Sequence, residues 1–440
     1  MKKRTISSFD RRTFIKTSTT GLAGFFIVPR HVLGGKRPDG TVYLAPSDQI
    51  SLGFIGTGKQ GRGLTTTFLN TGEIRIAAIS EVYKAKAELT HDKIKETLQK
   101  FPSLGTYEHI PIYNDFRELL NRKDIDGVVI ATPDHLHAAI AVRAAAAGKD
   151  IYGEKPLALT IKEGRAMVNA TRKYNRVFQT GSMQRSWPEF RQAAELIRNG
   201  YLGEIKSIKV NVGPPPIKYS LAAEPIPEGL DWSTWLGPNE PVAFNAELAP
   251  PTSKDVFPNW RLYKEFGGGM VTDWGAHMFD IVQWALDMDH SGPVEVLPPG
   301  GDRKFLTYRY KNGVTMTHEP FDWNNAIHFI GTSGEMKLQR RKMETTPSTL
   351  KDKVIGATEK HVYKSENHYL DFLAAMRSRK KPICDVEIGH RTATVCTLGN
   401  IAYQLGRTLK WNPKKEKFKG DQEANALLGR KMNAAWGIEL

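Results

Sequence analysis

Short apolar runs alternate with longer helical stretches from about residue 48 to residue 170. Ile50, Leu52, Phe54 and Ile55 make the first run, and IRIAAIS, ending at Ser80, the second. DIDGVVIAT (124–132) and DIYGE (150–154) read as two further strands. Helices are predicted near Lys84 to Lys100 and over HLHAAIAVRAAAAG, which closes on a glycine. This alternation implies a parallel sheet covered on both faces, and in such sheets ligands bind beyond the carboxyl ends of the strands. Gly56, Glu81, Thr132-Pro133 and Glu154-Lys155-Pro156 all occupy such ends.

After about residue 180 the pattern changes. GEIKSIKVNVG (203–213) predicts a strand, and a proline- and tryptophan-rich insertion runs on to about Trp260. A glycine run then opens a helix near Trp274 to Leu286. VEVLP, KFLTYRY, GVTMTHE and AIHFIGTSGEMKLQR follow as strand-like segments, with Gly313 marking a hairpin. A helix near Asn367 to Ser378 and a C-terminal segment complete the pattern. The expected architecture is α/β over residues 48–175, followed over residues 176–440 by an α+β domain with an open, mainly antiparallel sheet.

The turn after the first strand sharpens the first half. Gly56-Thr57-Gly58-Lys59-Gln60-Gly61 sits between a strand and a helix, and Glu81 lies twenty residues past the last glycine, at the end of the next strand. That spacing is a dinucleotide fingerprint and makes 48–175 a Rossmann domain. Gly56 makes the tight turn, Gly58 lets backbone approach a pyrophosphate, and Gly61 allows close packing of helix on strand. The phosphates sit at the helix N-terminus, beside Lys59 and Gln60. Glu81 accepts hydrogen bonds from a ribose and repels a 2′-phosphate, which favours NAD over NADP. Thr132, Pro133, His137, Glu154 and Lys155 complete the expected cofactor set, although a helix-capping stretch explains His135 and His137 equally well.

The leading residues carry a different message. Asp10-Arg11-Arg12-Thr13-Phe14-Ile15-Lys16 precedes a weakly apolar run from Thr17 to Val28. This resembles a twin-arginine export signal, assigned to residues 1–35, with 36–47 as an extended arm. It places the protein in the periplasm, and the apolar run is too short to serve as a stable membrane anchor. The signal also inflates the net charge of +15, since residues after 35 hold 55 basic against 46 acidic side chains. What remains is spread along the chain, and Arg340-Arg341-Lys342 and the lysines from 414 to 419 read as solvated surface. No nucleic-acid partner is expected. Cys384 and Cys396 either pair or stay as buried thiols, and their spacing suits no metal.

The second half carries the acid–base candidates. Asp273 and His277 are four apart at a predicted helix start and share one face, with Asp280 three further on. Gly267-Gly268-Gly269 just before them lets backbone approach a ligand. A carboxylate beside an imidazole is a plausible general base, and Lys155 faces the same cleft. Arg185 and Trp274 are expected on the substrate. Of Trp187, Trp232, Trp235, Trp260, Trp274 and Trp323, two are expected to line a pocket where a sugar ring stacks. Asp273, His277 and Asp280 are conceivable zinc ligands, but no metal is expected.

GTGKQG, GKDIYGEKPLAL at 148–159 and GGGMVTDWGAHMFD at 267–280 together resemble the glucose–fructose oxidoreductase / inositol dehydrogenase (Gfo/Idh/MocA) family. The resemblance covers nearly all of the chain after the leader. It implies that the first domain binds a nicotinamide dinucleotide and the second holds a sugar or glycoside. It further implies that Lys155 and His277 contact the hydroxyl being oxidised while Asp273 orients them, with either as the base. Outside the cytoplasm there is no NAD pool, so the cofactor is expected to be tightly held and to return its hydride within a closed cycle. A redox-neutral, NAD-dependent glycosidase is the alternative, and a non-catalytic carbohydrate-binding protein a third reading. By the same resemblance a homo-oligomer, dimer or tetramer, is expected through the open sheet face.

Overall fold

Valine, isoleucine and phenylalanine at successive positions drive the first sheet, because its strands are buried on both faces. In a computed structural model, which describes residues 35–36, 42–43, 45, 48–101, 104 and 109–438, six parallel strands form it. They are β1 (Ile50–Ile55), β2 (Ile74–Ser80), β3 (Ile112–Tyr113), β4 (Gly127–Ile130), β5 (Asp150–Gly153) and β6 (Phe178–Thr180), in the order β3-β2-β1-β4-β5-β6. The order reverses between β1 and β4, which opens a crevice at their carboxyl ends. Helices α1 (Lys59–Leu69), α2 (Lys84–Lys100), α3 (Phe116–Asn121), α4 (Asp134–Ala146) and α5 (Ile161–Lys173) cover the two faces. Arg11-Arg12 and most of the 36–47 arm lie outside the described residues; within the arm region Gly35–Lys36 pairs with Val42–Tyr43.

The second sheet has nine strands: β7 (Ile205–Asn211), β8 (Glu295–Leu297), β9 (Leu306–Arg309), β10 (Thr315–His318), β11 (Ala326–Gly331), β12 (Glu335–Gln339), β13 (Lys342–Thr346), β14 (Leu409–Asn412) and β15 (Lys417–Phe418). Their order is β13-β12-β11-β7-β10-β9-β8-β14-β15, antiparallel throughout except for the parallel pair β7–β10. Period-two alternation gives it one apolar face: Ile208, Val210, Tyr308, Met316, Ile327, Phe329, Met336 and Leu338 are buried. That face packs on α6 (Pro188–Arg198) and, after the short helices α7 (Trp232–Leu236) and α8 (Gly269–Asp273), on α9 (Gly275–Ala285). Cys384 and Cys396 are both free thiols in this interior.

Two features depart from the expected division at residue 175. β6 lies beyond it, because its Phe178 fills the nucleotide-domain core. Helix α10 (His368–Ser378) returns to the first sheet, where Phe372, Leu373 and Met376 pack with Leu52, Phe54 and Phe68. Helix α11 (Val386–Leu405) was not foreseen. Its Val386 and Ala393 belong to the nucleotide-domain core, and its Val395, Cys396, Leu398 and Ile401 to the sheet core. A helix buried on opposite sides shows no polar stripe, so its sequence carries no amphipathic signal. The insertion before α8 forms a core of its own, in which Trp232 stacks on Trp235 at 4.5 Å and Tyr83 of the nucleotide domain joins in.

Candidate active site

The glycine loop is built as its spacing requires. Gly56 has φ +80°, and a Cβ there would lie 2.8 Å from the Thr132 amide nitrogen. A Cβ on Gly61 would lie 2.0 Å from the Gly56 carbonyl oxygen, so α1 rides directly on the turn. Gly58, by contrast, has no atom within 4 Å of such a carbon, and it lines the cleft. The first N–H groups of α1 have no partner within the helix, and Gly58, Lys59 and Gln60 at its start line this space. Glu81 is held at the end of β2 by two backbone amides, Thr57 N at 2.7 Å and Tyr83 N at 3.1 Å from its carboxylate oxygens.

A single cleft of about 480 Å³ runs from this loop to the second domain. Gly56, Gly58, Lys59, Gln60, Glu81, Thr132, Pro133, Glu154 and Lys155 line one part, and Asp273, Trp274 and His277 another. The donor set fits a dinucleotide: an open amide-lined turn for the diphosphate, a fixed carboxylate for a ribose, and the Glu154–Lys155 turn for the reactive end. Gly61 contributes packing alone. Over the loop lies the segment 250–258, whose Asp255 accepts from Lys59 Nζ through its carbonyl at 2.6 Å and from Arg62 Nη2 through its carboxylate at 2.6 Å. Trp436 closes another wall; it packs on Phe116 and Arg117, and its carbonyl accepts from Arg143.

At the reactive end, Lys155 Nζ donates to Asp273 Oδ1 at 2.8 Å and to its backbone oxygen at 2.9 Å. Arg261 Nε lies 3.4 Å from the same Oδ1. Burial opposes the Asp273 charge, but the two cations outweigh it and hold the carboxyl below its ordinary value. The neighbouring acids go the other way. Burial raises Glu154, against the pull of Lys155 and a 2.9 Å bond from Gln60, and burial together with the Asp273 charge raises Asp134 well above the usual range.

His277 does not pair with Asp273, contrary to the expectation from their spacing. The carboxylate turns to two cations, which attract it more strongly than a neutral ring. His277 is 5% exposed, and its Nδ1 is buried without a hydrogen-bond partner among the described residues. Burial first, then the charges of Lys155 and Arg340, pull its pKa well below 6.5, so the imidazole is neutral.

Three expected site residues stand elsewhere. Arg185 is 1% exposed and outside the cleft; its guanidinium pairs with Asp280 at 2.8 Å and Asp289 at 2.7 Å, because a buried cation needs carboxylates around it. Asp280 is thereby occupied, with Thr392 as a further donor, and does not join Asp273 and His277. His137 is buried behind the strand ends, its ring nitrogens each 2.9 Å from a carbonyl oxygen, those of Pro156 and Thr132. It braces the Lys155 turn and is not among the residues that line the cleft. Of the six tryptophans, Trp235, Trp260 and Trp274 line the cleft.

Sequence reasoning missed Arg261 and Arg340. Arg261 sat in an insertion without pattern. The run Arg340-Arg341-Lys342 has the pattern of solvated surface, yet the Arg340 guanidinium lines the cleft 4.5 Å from the Trp274 ring.

Comparison with known proteins agrees with this geometry. Residues 50–182 match the family described as "Oxidoreductase family, NAD-binding Rossmann fold", and residues 216–438 match its "C-terminal alpha/beta domain". A Bacillus subtilis protein, uncharacterized oxidoreductase YrbE, is 22% identical over 379 residues, 82% of this chain and 92% of that one. Levoglucosan dehydrogenase of Pseudarthrobacter phenanthrenivorans is 32% identical over 174 residues, 39% of this chain and 36% of that enzyme. A glycosyl hydrolase family 109 protein of Shewanella pealeana is 29% identical over 208 residues, 44% of each chain. The chain thus aligns with less than half the length of these two sugar-active relatives. A solved levoglucosan dehydrogenase in complex with NADH and levoglucosan superposes with a TM-score of 0.54 at 22% identity, over 82% of this chain and 99% of that one. At that identity the likeness speaks for the fold alone.

Proposed function

Since this chain belongs to the Gfo/Idh/MocA family of NAD-binding oxidoreductases, we propose that it oxidises a hydroxyl group of a sugar or glycoside while holding its cofactor tightly. The observation that carries this reading is His277 lining the cofactor cleft beside the Lys155–Asp273 ion pair. When bound, NAD supplies the acceptor for the hydride. Lys155 spends two of its three donors on Asp273 and keeps one for the oxygen of the reacting hydroxyl. His277 lines the cleft with Nδ1 turned into the interior, so its other ring nitrogen, Nε2, accepts the hydroxyl proton. Asp273 and Arg261 together fix where the Lys155 ammonium points. Trp274 offers a face for the sugar ring.

The segment 250–258 and Trp436 support retention of the cofactor, since both cover the cleft. The Arg11-Arg12 motif supports export to the periplasm of a folded protein that carries NAD with it. The open face of the second sheet is the proposed contact for a dimer or tetramer. A redox-neutral glycosidase is favoured by one observation, the partial match to glycosyl hydrolase family 109 proteins. One experiment separates the readings: denature purified protein, identify any released dinucleotide, then titrate intact protein with hexoses, glycosides and inositols while following reduced-nicotinamide absorbance. Bound NAD reduced by one sugar class supports the oxidoreductase. Bound NAD that stays oxidised while a glycoside is hydrolysed moves the assignment to the glycosidase, and absence of dinucleotide refutes tight retention.

A further inference from the structure

Arg340 sits at the turn between β12 and β13, which carries it out of the sheet domain and into the cleft. Its guanidinium packs on two indoles, 4.5 Å from the Trp274 centroid and 5.6 Å from that of Trp187. Of its five N–H donors only Nε has a partner among the described residues, the Gln184 side-chain oxygen at 2.9 Å. Among the described residues no carboxylate lies within ion-pair distance of it, whereas the two other cleft cations at this end, Lys155 and Arg261, share Asp273. Gln184 is itself 1% exposed, and its amide nitrogen is buried without a partner. A half-desolvated guanidinium that keeps its planar Nη edge for a ligand suits an anion. Trp274 contacts the Arg340 guanidinium on one hand and the His277 ring, at 5.7 Å, on the other, which puts that edge beside the reacting end of the cleft.

We infer that Arg340 is a specificity residue and that the substrate is an acidic sugar, a uronic or aldonic acid unit whose carboxylate pairs with the free edge of its guanidinium. A carboxylate matches the site in charge and shape. It brings a negative charge to an end of the cleft where Lys155, Arg261 and Arg340 gather around the single Asp273 carboxylate, and its two oxygens fit the planar Nη1/Nη2 fork. The inference rests on the sugar-oxidoreductase reading and deepens it.

The test uses NAD-loaded protein and the methyl glycosides of glucuronate, galacturonate and mannuronate, each paired with its neutral hexoside. Quenching of tryptophan fluorescence reads affinity without turnover, so a failure of the oxidation chemistry, seen as no nicotinamide reduction by any sugar, stays separate from a failure of recognition. In at least one pair the uronide binds at least tenfold more tightly than the hexoside. Arg340→Met abolishes that preference, Arg340→Lys keeps part of it, and Arg341→Gln, next door and outside the cleft, keeps all of it. Equal binding in all three pairs overturns the inference, as does a preference that survives Arg340→Met and Arg340→Lys alike or disappears in Arg341→Gln. Tighter binding of methyl glucoside 6-phosphate than of every uronide would overturn the choice of carboxylate.

Discussion

Replacing Gly61 with alanine places a methyl carbon 2.0 Å from the Gly56 carbonyl oxygen. The obstructing oxygen is backbone and a Cβ has no rotamer, so nothing can swing aside, and α1 must lift from the turn by more than an ångström to restore van der Waals contact. Overpacking of this kind costs about 1–3 kcal/mol. With a melting shift of roughly 2–4 °C per kcal/mol for a domain of some 150–250 residues, the cofactor-free protein should melt several degrees earlier. Gly58→Ala is the contrasting perturbation. Its φ of −61° suits alanine, and no atom lies within 4 Å of the added carbon. Apoprotein stability should therefore change by less than about 0.5 kcal/mol. The methyl group would instead occupy the space a diphosphate needs against the backbone. Losing one charge-assisted hydrogen bond there, about 1.5–3 kcal/mol, weakens NAD binding roughly 10- to 150-fold. Thermal melts of stripped protein and NAD released per chain measure the two effects separately. If Gly58→Ala retains a full complement of NAD, the loop does not cradle the diphosphate and the cofactor pose is wrong.

The remaining predictions concern charge. With its pKa well below 6.5, His277 loses function only when protonated, so kcat/KM for sugar oxidation should be flat from about pH 6.5 upward through neutrality and fall in more acidic buffer. An acid limb centred at or above 6.5 would remove His277 as the proton acceptor. Arg185→Met leaves Asp280 and Asp289 unpaired in the interior and should cost about 3–5 kcal/mol in denaturant unfolding; unchanged stability with a raised KM would return Arg185 to the substrate site. Asp255→Ala removes the carboxylate that holds Arg62, an exposed pairing worth about 0.2–1 kcal/mol, while the backbone carbonyl still accepts from Lys59. Dinucleotide release followed by dilution should then quicken up to about fivefold, and an unchanged rate would mean that segment 250–258 does not gate exchange.

Local chemistry was legible in the chain and long-range pairing was not. The first strand, its glycine turn and Glu81 are fixed by neighbours in sequence, and α2 begins and ends at Lys84 and Lys100, as its pattern predicts. The fates of Arg185 and Asp280 depend on each other across 95 residues, and nothing in either local sequence names the partner. His137 looked like a cleft residue because it follows a strand end, but helix rotation carries its ring behind the turn. Arg340 looked like surface because its neighbours are basic. A hairpin turn points successive side chains in different directions, so Arg340 enters the cleft while Lys342 lies over Trp323.

Trp436 gives the cofactor site a position in time as well as in space. The glycine loop emerges from the ribosome early, and the nucleotide domain's strands can pair long before synthesis ends. One wall of the cleft, however, is an indole nearly four hundred residues downstream of that loop, held against Phe116 and Arg117. A nascent chain can form the sheet but cannot offer a finished binding site. Full occupancy by NAD then has to wait until the chain has been made at least as far as Trp436.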